Sequence, residues 1–406
     1  MKKSIAIITS GYFPVPPVKG GAIESLVSLI IEENNKKADV NLTVYSMYDK
    51  EAKKISDGYS NAIIKYISIP WIIKMIDLII YFIFKNILKK KKSMSYRYIA
   101  QRLYYIRIVS KEMSITNYDA IVFQNHPTLL NILKRHGNNK KYKGKYYYHA
   151  HNEIYNSFGN DDLLKDCKKF ICVSNYIKNC IEKALNISDE AKFTVLRNRV
   201  DEQKFKNIDN SQIKEFMHKY SIPEGFTLFT FTGRLNPEKG VKELLIAYKN
   251  ARPSNSKLII AGSYFFGSGM KSDYEIELEK IAKDIRNQIV FTGNIEYSDM
   301  PKLYHISDII ILPSIWNDPA PLTVVESLTC GKPLITTYSG GIPEYANERN
   351  SLIYPVDDNL ISNLSDGIKY LSENIEIRRK LRKNALEESE NWTKESFYID
   401  FINCID

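Results

Sequence analysis

No stretch of this 406-residue chain offers the roughly 20 uninterrupted apolar residues that a membrane-spanning helix needs. The opening Met1 to Ser10 imitates a secretion signal, but its apolar run of about five residues is too short for a signal core. It reads better as a first β-strand. Cysteine is scarce and odd in number: five residues, at 167, 172, 180, 330 and 404, without metal-ligand spacing or a C-x-x-C pair. That argues against a disulfide framework and a structural zinc, and fits free thiols in a reducing cytoplasm. No low-complexity tract is present, which excludes fibrous and disordered classes. No recognised nucleic-acid module accompanies the basic residues, so nucleic acid is not an expected partner.

What is present is a globular composition, 44% hydrophobic and 26% charged, long enough for two ordinary domains. The net charge of +10 is unevenly placed. Residues 1–200 hold 33 Lys and Arg against 17 Asp and Glu, and residues 201–406 hold 24 against 30. A basic first half suits an anionic partner. Short apolar runs alternate with helical patterns throughout. Strands are expected at 4–10, 40–46, 62–67, 120–124, 146–149, 170–173 and 194–196. In the second half they are expected at 227–232, 257–261, 288–291, 309–312 and 334–336. Strands alternating with helices imply parallel β-α-β units. The predicted fold class is α/β, with two doubly wound Rossmann-like domains facing across a cleft. The polar stretch 198–222 marks the boundary, giving domains at 1–200 and 201–385 and a C-terminal helix, 386–406, that packs back on the first domain.

One segment breaks the rhythm. From Pro70 to Leu88 the chain is apolar almost all round, starting at Trp71, and it runs directly into Lys89, Lys90, Lys91 and Lys92. Arg97, Arg102 and Arg107 follow among tyrosines. Lys74, Asp77 and Lys85 argue against a spanning helix. A helix lying in the interface of an anionic membrane is one reading of residues 70–107; a buried helix beside a solvated lysine cluster is the other.

Two segments carry chemistry. Gly233-Arg-Leu-Asn-Pro-Glu-Lys-Gly240 follows a strand and opens a helix, placing Arg234 and Lys239 where a diphosphate could be held by a guanidinium fork and a point charge. Downstream, Asp318 stands in a Pro-rich loop after an apolar strand, and Glu326 lies about one turn into the next helix, which Gly331 ends. Together these motifs resemble those of the retaining GT-B glycosyltransferases, glycosyltransferase family 4. Gly20-Gly-Ala-Ile-Glu24, His151-Asn152, Asn198-Arg-Val-Asp201, Gly340-Gly-Ile-Pro-Glu344 and Asn391-Trp-Thr-Lys-Glu395 extend the resemblance along nearly the whole chain.

The resemblance implies a retaining, metal-independent transfer of sugar from a nucleotide sugar, UDP-linked by family frequency, without a cofactor. Arg234 and Lys239 would hold the donor diphosphate, Glu326 the ribose hydroxyls and Asp318 the donor sugar, aided by the amides of Leu322 and Thr323. Gly233, Gly20 and Gly21 would let backbone approach the donor, and His151 would sit near the reacting carbon. His149 competes with His151, because both fall on one strand face. His126 reads as a loop or acceptor-cleft residue. The basic first half, with Trp71 and Lys89–Lys92, suits a lipid-linked oligosaccharide acceptor in capsule or O-antigen assembly at the inner face of the cell membrane. A UDP-sugar 2-epimerase and a non-catalytic nucleotide-sugar-binding subunit are the alternatives. Asp318 stands where the family has Glu, and Arg199 where it has Gly.

Overall fold

The computed structural model describes residues 2–88, 97–206, 208–263 and 272–405. The chain divides into two units, one running to Arg197 and resuming at Phe397, the other spanning Asn198–Ser396.

The first unit is built on seven parallel strands: β1 (Ser4–Ile8), β2 (Asn41–Met47), β3 (Ala62–Ile67), β4 (Ala120–Gln124), β5 (Tyr146–Ala150), β6 (Lys169–Cys172) and β7 (Phe193–Val195), in the order β3-β2-β1-β4-β5-β6-β7. The central strands are continuous apolar runs because helices cover both sheet faces; every residue of β4 and β5 is buried. β1 pairs with both neighbours in register, Ile7 facing Val44 on one side and Val122 on the other.

The second unit carries β8 (Thr227–Thr232), β9 (Ser256–Ala261), β10 (Ile289–Gly293), β11 (Ile309–Leu312), β12 (Leu334–Thr337) and β13 (Ser351–Tyr354) in the order β10-β9-β8-β11-β12-β13, again all parallel. β13 is the one strand that the sequence pattern does not announce. It is four residues long between Asn350 and Pro355, sits at the sheet edge, and alternates buried with half-buried residues.

The C-terminal region differs from the single helix expected over 386–406. A helix at Ile375–Glu388 ends before Trp392, and a second runs Lys394–Cys404. Residues 386–396 stay with the second unit. Trp392 packs edge-on against Tyr345 with ring centroids 5.5 Å apart, and Lys394 pairs with Asp201 at 2.8 Å. From Phe397 the helix belongs to the first unit, where Phe397 and Phe401 are fully buried and Tyr398 donates to Asn34 Oδ1 at 2.8 Å. Arg199, where the family pattern has glycine, lays its guanidinium over Trp392 at 5.4 Å. It therefore helps to hold this end of the second unit.

The apolar segment folds as a helix, Trp71–Phe82, continued by a π-helical turn, Ile83–Ile87. Its amphipathicity is inverted. The buried side is polar: Asp77 accepts from the N–H groups of Ala100 and Gln101 at 2.8 and 2.9 Å and so caps the helix Ile99–Ile115. The outward side is apolar, with Trp71 72%, Ile79 56% and Phe82 58% exposed. Within this chain the helix is therefore not a buried one. Lys89–Lys92 lie outside the described residues. No helix among the described residues is long and apolar enough to cross a membrane.

Candidate active site

Where the strand order of a parallel sheet reverses, the loops leaving the two adjacent strands diverge and leave a crevice at their C-terminal ends. In the second sheet that point lies between β8 and β11. Both segments singled out in the sequence begin there. After β8 the chain turns at Gly233, passes Arg234 and a short 3-10 turn, Pro237–Lys239, and enters the helix Val241–Ala251 through Gly240. After β11 the Pro-rich loop passes Asp318 and enters the helix Leu322–Thr329.

Two glycines lock these loops. Gly240 has φ +67°, and a Cβ there would lie 2.0 Å from the carbonyl oxygen of Pro313. Gly340 has φ +57°, and a Cβ there would lie 2.2 Å from the carbonyl oxygen of Asp318. That same oxygen accepts from the N–H of Gly341 at 2.8 Å. The Gly340-Gly341 loop thus fixes the backbone that presents Asp318.

Gly233, Lys239, Asp318 and Thr323 line one crevice, over apolar walls from Phe231, Leu312 and Ile342. Lys239 Nζ and Asp318 Oδ2 form an ion pair within it, both side chains largely shielded from solvent. Arg234 stands exposed at the turn, with no side-chain partner among the described residues. Leu322 and Thr323 open the eight-residue helix, so their N–H groups are among those that a helix leaves unpaired, at its electropositive end. A larger hollow of about 410 Å3, lined by Lys219, Tyr220, Arg286 and Phe291, lies at edge strand β10, and none of the predicted site residues reaches it.

Glu326 faces elsewhere. It is buried in the same helix, outside the crevice lining, and accepts from Tyr304 Oη at 2.7 Å. Burial pushes its carboxyl up to about 7, against the lowering effect of hydrogen bonds from Tyr304 and Tyr297. Sequence reasoning missed both tyrosines. The chain has 28, and no motif surrounds these two.

In the first unit, Gly20 and Gly21 have φ of +76° and +117° and lead into the helix Ala22–Lys37. His151 directly follows β5 and is 8% exposed. Its Nε2 is 2.9 Å from the side-chain oxygen of Gln124, which can only accept, so the proton sits on Nε2. Its backbone N–H donates to Asn125 Oδ1 at 3.0 Å. Burial, reinforced by His149, holds the His151 imidazole neutral, well below the usual range. The two rings are 4.1 Å apart, and neither nitrogen of His149 has a partner among the described residues. Only His151 is oriented by a hydrogen bond.

Residues 212–388 match the family model described as glycosyl transferases group 1. The lipopolysaccharide 1,2-N-acetylglucosaminetransferase of Salmonella typhimurium is 25% identical over 353 residues, covering 85% of this chain and 83% of that protein. The UDP-Gal:alpha-D-GlcNAc-diphosphoundecaprenol alpha-1,3-galactosyltransferase of Escherichia coli is 27% identical over 178 residues, 43% of each chain. Among solved structures, Anabaena HepE in complex with UDP aligns with a TM-score of 0.71 at 18% identity, covering 100% of this chain and 99% of that one. This likeness, with the two parallel sheets, identifies the fold as GT-B.

Proposed function

We propose that the chain, whose residues 212–388 match the family model described as glycosyl transferases group 1, is a glycosyltransferase that transfers sugar with retention from a UDP-linked donor to a hydroxyl of a lipid-linked glycan. The product would enter a bacterial surface polysaccharide, capsule or O-antigen, assembled at the inner face of the cell membrane. The observation that carries the donor half is the convergence of Gly233, Lys239, Asp318 and Thr323 in one crevice at the β8–β11 switch point.

In this reading Lys239 and Arg234 neutralise the donor diphosphate and the charge that develops on it, so no metal ion is required. The amides of Leu322 and Thr323 add the donors of a helix N-terminus. Asp318 binds a hydroxyl of the donor sugar. Glu326 receives the ribose hydroxyls in place of its tyrosine partners. Gly20 and Gly21 offer backbone to the donor phosphate, and the neutral imidazole of His151 offers a fixed polar contact to the sugar. The acceptor oxygen attacks the anomeric carbon as the bond to the diphosphate breaks, and the acceptor proton passes to the departing phosphate oxygen.

The acceptor half rests on the inverted helix. An apolar outward face of Trp71, Ile72, Ile79 and Phe82, followed in sequence by Lys89–Lys92, matches an anionic bilayer surface in both hydrophobicity and charge. The lipid-linked substrates named for the relatives point the same way. The test is a panel of labelled nucleotide sugars incubated with native membranes and scored for sugar incorporated into lipid. Incorporation of one sugar that persists in chelator supports the reading. Sugar interconversion without transfer, or nucleotide binding without turnover, would replace it.

A further inference from the structure

The first sheet has its own switch point, between β1 and β4, and chemistry gathers there that the donor site does not use. Tyr12 follows β1, His126 follows β4, and Arg102 lies in the first turn of the helix Ile99–Ile115. Arg102 Nη1 contacts His126 Nε2, and the guanidinium sits 5.1 Å from the Tyr12 ring centroid. His126 is held neutral, pushed down to about 4 by burial and then by Arg102. Its Nε2 faces the arginine, and its Nδ1 accepts from the backbone N–H of Thr128 at 3.3 Å, with Thr128 Oγ1 also 2.8 Å away.

Arg102 has no carboxylate partner among the described residues, and its Nε is buried without an acceptor. The carboxylate on the neighbouring helix, Asp77, is committed to the N–H groups of Ala100 and Gln101. Shielding a guanidinium without a counter-ion is unfavourable. A second cation stands close by: Arg97 lies 5.3 Å from the ring of Tyr98, which packs edge-on against Tyr12 at 4.7 Å. Asp77 ties the outward apolar helix to the very turn that carries Arg102. One place therefore offers an apolar face outside and unneutralised guanidinium charge within, at the crevice where such sheets bind ligands.

We propose that Arg102, assisted by Arg97, binds the phosphate group through which the acceptor is joined to its lipid, with the lipid chain running along the apolar face that begins at Trp71. This rests on the lipid-acceptor reading above and adds the headgroup and its ligand.

The test is a calorimetric titration of the UDP-saturated protein with three probes in detergent: farnesyl diphosphate, farnesol and inorganic pyrophosphate. Saturation with UDP occupies the diphosphate site of the second unit. Wild type is expected to bind farnesyl diphosphate at least tenfold more tightly than either other probe. Arg102→Gln is expected to lose at least tenfold in affinity for farnesyl diphosphate, while its affinity for farnesol and its UDP affinity stay unchanged. If Arg102→Gln fails to fold, Arg102→Lys, which keeps the charge but not the fork, is expected to show a severalfold loss. Equal binding of farnesyl diphosphate by wild type and variant overturns the assignment. Pyrophosphate binding as tight as that of farnesyl diphosphate overturns the lipid part of it. Sugar incorporation into membrane lipid reads the parent proposal separately. Full incorporation by Arg102→Gln sinks Arg102 alone, whereas none by wild type sinks the lipid acceptor.

Discussion

Lys239 and Asp318, 79 residues apart in the chain, are ion-paired in the crevice at the end of β8 and β11. In the proposed reading the lysine holds the diphosphate and the aspartate the sugar, so one pair would join the two halves of the donor. An isosteric Asp318→Asn substitution removes the charge that, on this reading, would compete with phosphate for Lys239. Its expected result is nucleotide affinity equal to or tighter than wild type, with transfer reduced about 100-fold, as on loss of one positioned polar contact. Nucleotide titration and initial-rate measurement separate the two. Parallel loss of binding would mean that Asp318 only orients the lysine.

Lys239→Ala should abolish transfer, by about 100- to 1000-fold, and leave the fold intact. Lys239 lies in a turn, not in the core. Circular dichroism and the thermal midpoint report the fold. Turnover at the wild-type rate would sink the diphosphate assignment.

Gly340→Ala tests whether the loop holds Asp318 in place. The substitution adds a Cβ 2.2 Å from a backbone oxygen at a left-handed residue, which a flexible side chain cannot relieve. A cost of about 1–3 kcal/mol is expected for such a conformation. Transfer should fall with kcat more affected than donor KM if, as proposed, the displaced Asp318 faces the sugar and not the nucleotide. Unchanged kcat with raised KM would place the loop at the phosphate instead.

Much of this was legible in the sequence because parallel strands buried on both faces are continuous apolar runs, and glycine-marked turns punctuate them. The Gly233–Gly240 turn and the Asp318 loop could be located by residue type and spacing. Their joining could not be, because it depends on backbone contacts such as Gly240 against Pro313. β13 escaped because an edge strand of four residues is too short for its alternation of buried and half-buried positions to stand out. The orientation of Asp77 also escaped. A lone acid in an apolar helix looks like an interruption of the apolar face until its partners, the N–H groups of Ala100 and Gln101, are seen. Glu326 was singled out by motif, but its tyrosine partners come from elements with no motif of their own.

The Glu326 carboxyl, raised from its ordinary 4.5 to about 7, links stability to pH. A raised carboxyl favours the protonated folded state, so its contribution is fully present below about pH 4.5 and is lost as pH rises through about 7. The size is on the order of 3 kcal/mol. Glu326→Gln removes this dependence. In a Trp71→Phe background the remaining tryptophans, Trp316 and Trp392, both report on the second unit. Relative to wild type, the Gln variant should gain in urea midpoint between pH 5 and pH 8. Glu24 in the first unit is raised to a similar value, and the comparison at one site cancels it. Parallel wild-type and variant curves would show Glu326 ionised in the fold.

Membrane docking makes separable demands on the apolar face and the lysines. Replacing Lys89–Lys92 with Ser removes the charge adjoining the helix, where each basic residue near an anionic surface contributes about 1 kcal/mol. Co-sedimentation with vesicles of phosphatidylglycerol should fall by about 100-fold or more in partition coefficient, and raised salt should reproduce the loss in wild type. Trp71→Ser with Ile79→Ser should also release the protein, but by a route insensitive to salt, because exposed apolar area rather than charge is removed. Donor hydrolysis in solution should be unchanged in both variants. Undiminished co-sedimentation of the lysine variant would show the cluster to be merely solvated, and undiminished co-sedimentation of the double serine variant would take the helix Trp71–Phe82 off the bilayer.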